Sequence, residues 1–223
     1  VTMFKKNQNN APILPGGSCR DIFFYINENF KKDFYKVISE KFNKVVKKLR
    51  EFFWSKNFIE VHTQNRLSIL AACEDPFNVQ TFQYTGQVWP LVQTGQMWLE
   101  YELLKNPEAP GFFCLSTSYR AEPNPVPGRH ETIFPMFEFE MHGGVDELKK
   151  MEIELCEHLG LPELEIDTYD GWGNMFNAKE LDHDHEQKIG HGMITDFPEW
   201  TSPFWNMARN DDDLSLIHIS EPT

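Results

Sequence analysis

The sequence predicts an α+β fold built on a mainly antiparallel sheet flanked by helices. Two strand-like runs, Phe112–Arg120 and Ile133–Met141, face each other across a Pro- and Gly-rich loop, the pattern of a hairpin. Helical periodicity on either side of them supplies the flanking layer. The chain also lacks the GxxxxGK[ST] and GxGxxG phosphate loops and the GxSxG nucleophile elbow.

Taken in order, residues 1–30 read as a leader, Asn-rich at first and then broken by Pro15-Gly16-Gly17. From Lys31 to Lys56, Phe34, Val37, Ile38, Phe42, Val45, Val46, Leu49, Phe52 and Phe53 recur at three- and four-residue steps, which makes an amphipathic helix. Its lysines read as a solvated face, and Asn57 suits a left-handed cap. Phe58–His62 and Val79–Tyr84 read as strands, Gln96–Leu104 as a short helix, and Ala121–Thr132 as the loop of the hairpin. Val145–Leu159 is a second amphipathic helix, closed by Gly160 and Pro162. A short charged helix follows Asn177, then a strand at Gly192–Phe197 and a loop at Pro198–Trp205.

With 223 residues, the chain can bury one large core or two small ones, and 40% hydrophobic with 14% aromatic residues excludes a disordered chain. No run of 18 apolar residues is present and residues 1–20 hold no signal-peptide core, so neither a membrane-spanning helix nor secretion is expected. Cys19, Cys73, Cys114 and Cys156 are widely spaced with no CxxC pair. That spacing argues against a zinc ribbon or a disulfide framework and fits a reducing cytoplasm. The net charge of −13 is uneven: residues 1–56 hold 12 Lys/Arg against 5 Asp/Glu, the remainder 9 against 29. Electrostatics alone would not hold such a chain to nucleic acid, so any RNA contact must be local.

The densest set of chemical groups lies between Ser118 and Glu140. Arg120 and Glu122 end one strand two residues apart, so they share a face. Arg120 offers a planar fork to a phosphate, and Glu122 can accept from an amino group such as that of adenine. Arg129 and His130 add donors from the loop. Phe134 opens the returning strand and can stack on a base, and Glu138 and Glu140, on its face, can hold an ammonium group or a metal. Such a hairpin could equally be a surface Arg–Glu pairing. His183-Asp-His-Glu186 has the residue types of a metal site, but its histidines are two apart and do not share a helix face. It reads better as an acidic helix start, and no metal ligand is assigned.

The order Arg-Ala-Glu, loop, Arg-His, Phe, Glu-x-Glu resembles motif 2 of class II aminoacyl-tRNA synthetases, in particular the aspartyl/asparaginyl/lysyl subgroup and most closely its asparaginyl members. The resemblance implies that Arg120 is catalytic and binds the α-phosphate of ATP. Glu122 then meets the adenine, Arg129 and His130 reach the distal phosphates, and Phe134 stacks on the purine. Ile133 departs from the subgroup, which has Glu there. Upstream, Cys73-Glu74 with Phe77, Val79 and Phe82 resembles the segment whose Glu touches the α-amino group. Val92-Gln-Thr-Gly-Gln-Met-Trp-Leu-Glu100 is similar to the helix start whose Gln, here Gln96, contacts the amino acid. These, with Glu138, form the implied amino-acid site. Aspartate-specific members carry Lys three residues after that Gln; this chain has Leu99, which favours asparagine, because a buried carboxylate without a cation is costly.

The helix and strand over Lys31–His62 resemble motif 1 and imply a homodimer, with Asn57 and Gln64 departing from the usual Gly and Pro. Thr195-Asp-Phe-Pro198 and Ser202-Pro-Phe-Trp-Asn-Met207 resemble the stretch lining the amino-acid pocket. The resemblance thus spans residues 31–210 as a catalytic domain without motif 3. Only about 30 residues precede it, too few for an anticodon-binding barrel. Residues 211–223 match nothing in the family and read as a non-native tail, and without motif 3 this chain by itself is expected to be inactive. The implied activity is ATP- and Mg2+-dependent formation of an aminoacyl-adenylate, of asparagine or aspartate, and its transfer to tRNA. Two alternatives are a stand-alone paralogue that makes asparagine from aspartate and ammonia, and a non-catalytic module that keeps the fold for binding or dimerisation.

Overall fold

The computed structural model describes residues 5–6, 12–13, 39–65, 77–125, 131–201 and 214–215. The chain divides into two units, Val1–Ile38 and Ser39–Thr223. In the first, strands β1 (Lys5–Lys6) and β2 (Pro12–Ile13) pair antiparallel.

The second unit opens with helix α1 (Ser39–Ser55). The expected start at Lys31 lies outside the described residues. Val46, Phe52 and Phe53 are buried, but Val45, expected on the same apolar face, is half-exposed. Asn57 takes the left-handed conformation foreseen for it, with φ 61°. That turn folds the chain back so that the Phe58 N–H donates to the Phe53 carbonyl at 3.0 Å.

Strand β3 is only Ile59–Glu60, shorter than the Phe58–His62 expected. It lies parallel to β6 (Phe112–Tyr119), which in turn pairs antiparallel with β7 (Ile133–Glu140), in the order β3-β6-β7. The sheet is therefore mixed at β3. The long connection from β3 to β6 supplies the crossover that parallel pairing requires. Within it, β4 (Thr81–Tyr84) and β5 (Gln87–Pro90) form a hairpin, followed by helix α2 (Gln96–Lys105). Strand β5 was not expected from the sequence. The hairpin turns on Thr85 (φ 51°) and Gly86 (φ 77°), the two positive φ values of a tight two-residue turn.

Alternation along β6 and β7 sorts the side chains between two layers. Phe113, Phe137 and Phe139 pack with Phe52, Phe53 and Phe58, and with Met151 and Leu155 of helix α3 (Val145–Leu159). Phe112 and Cys114 face the other way and pack with Leu99 of α2. The sheet is thus covered by α1 and α3 on one face and by α2 on the other. Two of the lysines expected to be solvated join α1 to α3: Lys48 donates to the Leu159 carbonyl at 3.0 Å, and Lys56 pairs with Glu154.

Beyond α3, which ends on left-handed Gly160 (φ 76°), the sequence suggested no element before Asn177, yet two are present. Strand β8 (Glu165–Thr168) pairs parallel with β9 (Gly192–Thr195), and helix α4 (Tyr169–Phe176) follows β8 directly. Two glycines give α4 poor intrinsic propensity. It is held instead by burial of Tyr169 and Trp172 and by the Thr168 hydroxyl, which accepts from the Gly171 N–H at 2.9 Å. Helix α5 (His183–Ile189) is the short charged helix expected after Asn177. Its cap uses His185, whose ring accepts from the Asp182 N–H while the Asp182 carboxylate accepts from the His185 N–H. Strand β10 (Phe197–Pro198) pairs antiparallel with β11 (Leu214–Ser215), and a 3-10 turn covers Glu199–Thr201.

Candidate active site

One face of the β6–β7 hairpin carries Phe112, Cys114, Ser116 and Ser118 on β6 and Phe134, Met136, Glu138 and Glu140 on β7, with Ser118 opposite Phe134 and Cys114 opposite Glu138. Ser116 and Ser118 are polar residues buried in β6, and Ser118 is fully buried with its hydroxyl unpartnered. Its neighbours on either side belong to the two halves of the site.

At one end, Arg120 continues the face beyond β6, its N–H donating to the Thr132 carbonyl at 2.9 Å. Its side chain is exposed, and the guanidinium carbon lies 5.6 Å from the Phe134 ring centroid. Glu122 accepts from the Asn78 side-chain amide at 3.3 Å, and the Ala121 N–H donates to the Asn78 carbonyl at 3.1 Å. The Tyr119 N–H donates to the Val92 carbonyl at 3.0 Å, which seats the segment between β5 and α2 along the end of β6. Of the expected group, Arg120 lies beside Phe134, and Glu122 bonds instead to Asn78, a partner the sequence did not suggest. Arg129, His130 and Glu74 lie outside the described residues, as does Ser202-Pro-Phe-Trp-Asn-Met207.

At the other end, Gln96 begins α2. It is buried, and its amide donates to Glu100 one turn on. The Gln96 N–H donates to the Thr94 hydroxyl at 3.0 Å, and that hydroxyl donates to Glu138. The Glu138 carboxylate also accepts from the Gly95 N–H and the Ser116 hydroxyl, each at 2.7 Å. Thr94 and Ser116 were missed; Ser116, a polar residue following the apolar start of β6, was a signal, whereas Thr94, between Gln93 and Gly95, carried none. Burial, then the charge of Glu138, pushes the Cys114 thiol up to about 12, so it stays protonated and unreactive. Burial, then Glu100 and Glu138, pushes the Glu140 carboxyl up to about 7. Among the described residues no three His, Cys, Asp or Glu side chains converge as metal ligands, so they offer no cage for magnesium.

No protein-family profile and no curated sequence matches the chain. Solved structures do. Asparaginyl-tRNA synthetase from Pyrococcus horikoshii, complexed with asparaginyl-adenylate, superposes with a TM-score of 0.67 at 17% identity, over 78% of this chain and 48% of that one. The Entamoeba histolytica enzyme, in complex with the same adenylate, gives 0.65 at 16% identity over 91% and 53%. A putative aspartyl-tRNA synthetase from Leishmania major gives 0.56 at 15% identity over 78% and 47%. The fold is that of the class II aminoacyl-tRNA synthetase catalytic core. Its likeness is to asparaginyl- and aspartyl-tRNA synthetases, and the chain spans about half the length of those structures.

Proposed function

We propose that this domain activates an amino acid with ATP, asparagine in preference to aspartate, and passes it to tRNA. The observation that carries the reading is Arg120 held beside Phe134 at the end of the hairpin face whose other end leads to Gln96. The registers Ser118–Phe134 and Cys114–Glu138 are four residues apart, roughly 13 Å along the strand, room for a nucleoside monophosphate joined to an amino acid. In this reading the amino-acid carboxylate attacks the α-phosphorus of ATP, an O–P bond forms, and the bond to pyrophosphate breaks. Arg120 neutralises charge gathering on the α-phosphate oxygens, Phe134 stacks on the adenine and Glu122 meets its amino group. Arg129 and His130 serve the distal phosphates, and Gln96 and Glu74 orient the amino acid. ATP enters with Mg2+, and no step is routed through protein ligands to it.

Leu99, buried where a cation would be needed to pair with an aspartate side chain, supports asparagine. A homodimer is part of the proposal. Val45, Trp54 and Ile59 leave apolar surface exposed on α1 and β3. The setting is the cytoplasm. Among the described residues no helix is long and apolar enough to cross a membrane.

The experiment is pyrophosphate exchange run with each amino acid in turn, in a form of the protein extended by the motif 3 segment that this chain is expected to lack. Exchange dependent on asparagine supports the reading, and exchange with none of them overturns it. Supplying tRNA or ammonia next separates a tRNA ligase from an enzyme that releases free asparagine from aspartate.

A further inference from the structure

We infer that Asn78 is a positioning residue for the nucleotide end of the site: its side-chain amide holds and aims the Glu122 carboxylate where the β4–β5 hairpin meets the end of β6. Past β6 the chain runs between two neighbours. The Tyr119 N–H donates to the Val92 carbonyl at 3.0 Å and the Ala121 N–H to the Asn78 carbonyl at 3.1 Å. The Arg120 N–H between them donates the other way, to the Thr132 carbonyl at 2.9 Å. Asn78 and Val92 flank the β4–β5 hairpin, whose base is closed by the Leu91 N–H donating to the Gln80 carbonyl at 2.8 Å. The hairpin thus grips, at both its ends, the extended segment that leads to Arg120 and Glu122.

Asn78 adds a side-chain bond to its main-chain one. It is buried, and its Nδ2 lies 3.3 Å from Glu122 Oε1. An ionised carboxylate can only accept, so Asn78 must turn its NH2, not its carbonyl oxygen, toward Glu122. The bond from Ala121 fixes the two backbones, and the bond to Glu122 restrains the side chain. Glu122 lies past the end of β6 and is half-buried, where a long side chain without a partner keeps its rotamer freedom and must lose it on meeting a ligand. Asn78 removes that freedom beforehand. It occupies one carboxylate oxygen; the other accepts no hydrogen bond among the described residues and is left to take an amino group. The consequence for adenine rests on the proposed function; the tether itself does not.

Two measurements test this. The first, in the whole chain, is water exchange of the Asn78 side-chain amide protons, read by NMR in the wild type and in Glu122→Ala. Loss of the acceptor should speed that exchange at least about fivefold, while the Ala121 main-chain amide stays as protected as before. Unchanged side-chain exchange overturns the inference, whatever the protein catalyses. The second is pyrophosphate exchange in the protein extended by its motif 3 segment, run with ATP and with inosine triphosphate, whose base has a carbonyl oxygen where adenine has its amino group. The variants are Asn78→Ala and Asn78→Asp, which keeps the shape but sets two carboxylates together. Each should raise the ATP KM about tenfold and leave the inosine triphosphate KM, the amino-acid KM and kcat unchanged. On a Glu122→Ala background, Asn78→Ala should add nothing. Equal loss with both nucleotides, an additive loss in the double variant, or an unchanged ATP KM in Asn78→Ala overturns the inference. Wild-type protein with slow side-chain exchange but no pyrophosphate exchange with any amino acid sinks the proposed function and leaves the tether standing.

Discussion

Arg120, one residue beyond β6, holds its guanidinium 5.6 Å from the ring centre of Phe134 on β7, close enough for a cation–π contact although Arg120 is exposed. The ring limits where the fork can swing, so the charge is partly ordered in the free protein. Preorganised charge of this kind is worth most where a reaction gathers negative charge. In the protein extended by its motif 3 segment, Arg120→Ala should therefore lower the rate of pyrophosphate exchange by about 10²–10³, or roughly 2.7–4 kcal/mol. Arg120→Lys should recover only part of it, lacking the bidentate fork. Exchange at the wild-type rate in both variants would remove this hairpin from the nucleotide site.

The core makes a separate prediction about stability. Phe53 is fully buried and meets the rings of Phe52, Phe58, Phe113, Phe137 and Phe139 at centroid distances from 4.9 to 5.5 Å. It joins α1 to both strands of the hairpin that carries the site. Phe53→Ala should cost about 3–5 kcal/mol in urea unfolding, with the midpoint shifted far more than the slope. A loss no larger than that of an exposed substitution, within about 0.5 kcal/mol, would show the cluster to be less tightly packed than these distances imply.

Legibility from sequence followed the strength of local signals. The hairpin was readable because Phe113, Phe137 and Phe139 alternate with Cys114, Glu138 and Glu140, so each strand declares its two faces. Helix α3 was readable to the residue, with a 3.6-residue period and a terminal glycine. Asn57 betrayed its left-handed φ because Asn tolerates it. Helix α4 was not readable, since Gly171 and Gly173 oppose helix locally and the burial that overrides them comes from residues distant in sequence. The approach of Arg120 to Phe134 rests on one contiguous stretch of hairpin and could be foreseen. The Glu138 network joins residues 22 to 44 positions apart, and no spacing rule brings Thr94 and Ser116 to one carboxylate.

Surface chemistry yields a prediction about assembly. Trp54 and Ile59 are each about half exposed, 52% and 50%, although they adjoin the buried Phe52, Phe53 and Phe58. Apolar side chains left outward beside a core are the expected signature of a covered face. Trp54→Glu combined with Ile59→Glu should shift sedimentation from dimer to monomer at micromolar concentration while leaving the far-ultraviolet circular dichroism unchanged. Wild-type protein that is already monomeric at that concentration would show that this face is not a self-association surface.

Glu140 should make stability depend on pH in a direction opposite to that of a salt-bridged carboxylate. Its ordinary value of 4.5 is pushed up to about 7, chiefly by burial and then by Glu100 and Glu138. The folded protein therefore holds a proton that the unfolded chain releases, and the stability linked to this group is fully present below pH 4.5. It declines as pH rises and is lost through about 7, above which the charge is present in both states and the folded one bears the penalty. Glu140→Gln keeps the shape and removes the titration. At about pH 8 the variant should be more stable than wild type by roughly 1–3 kcal/mol, and at about pH 4 the two should be equal. Urea unfolding of both proteins at the two pH values measures the difference directly. Parallel stability profiles across that range would mean that Glu140 is solvated well enough to titrate as an ordinary carboxylate, and that the acidic cluster at this end of the hairpin carries no stored repulsion.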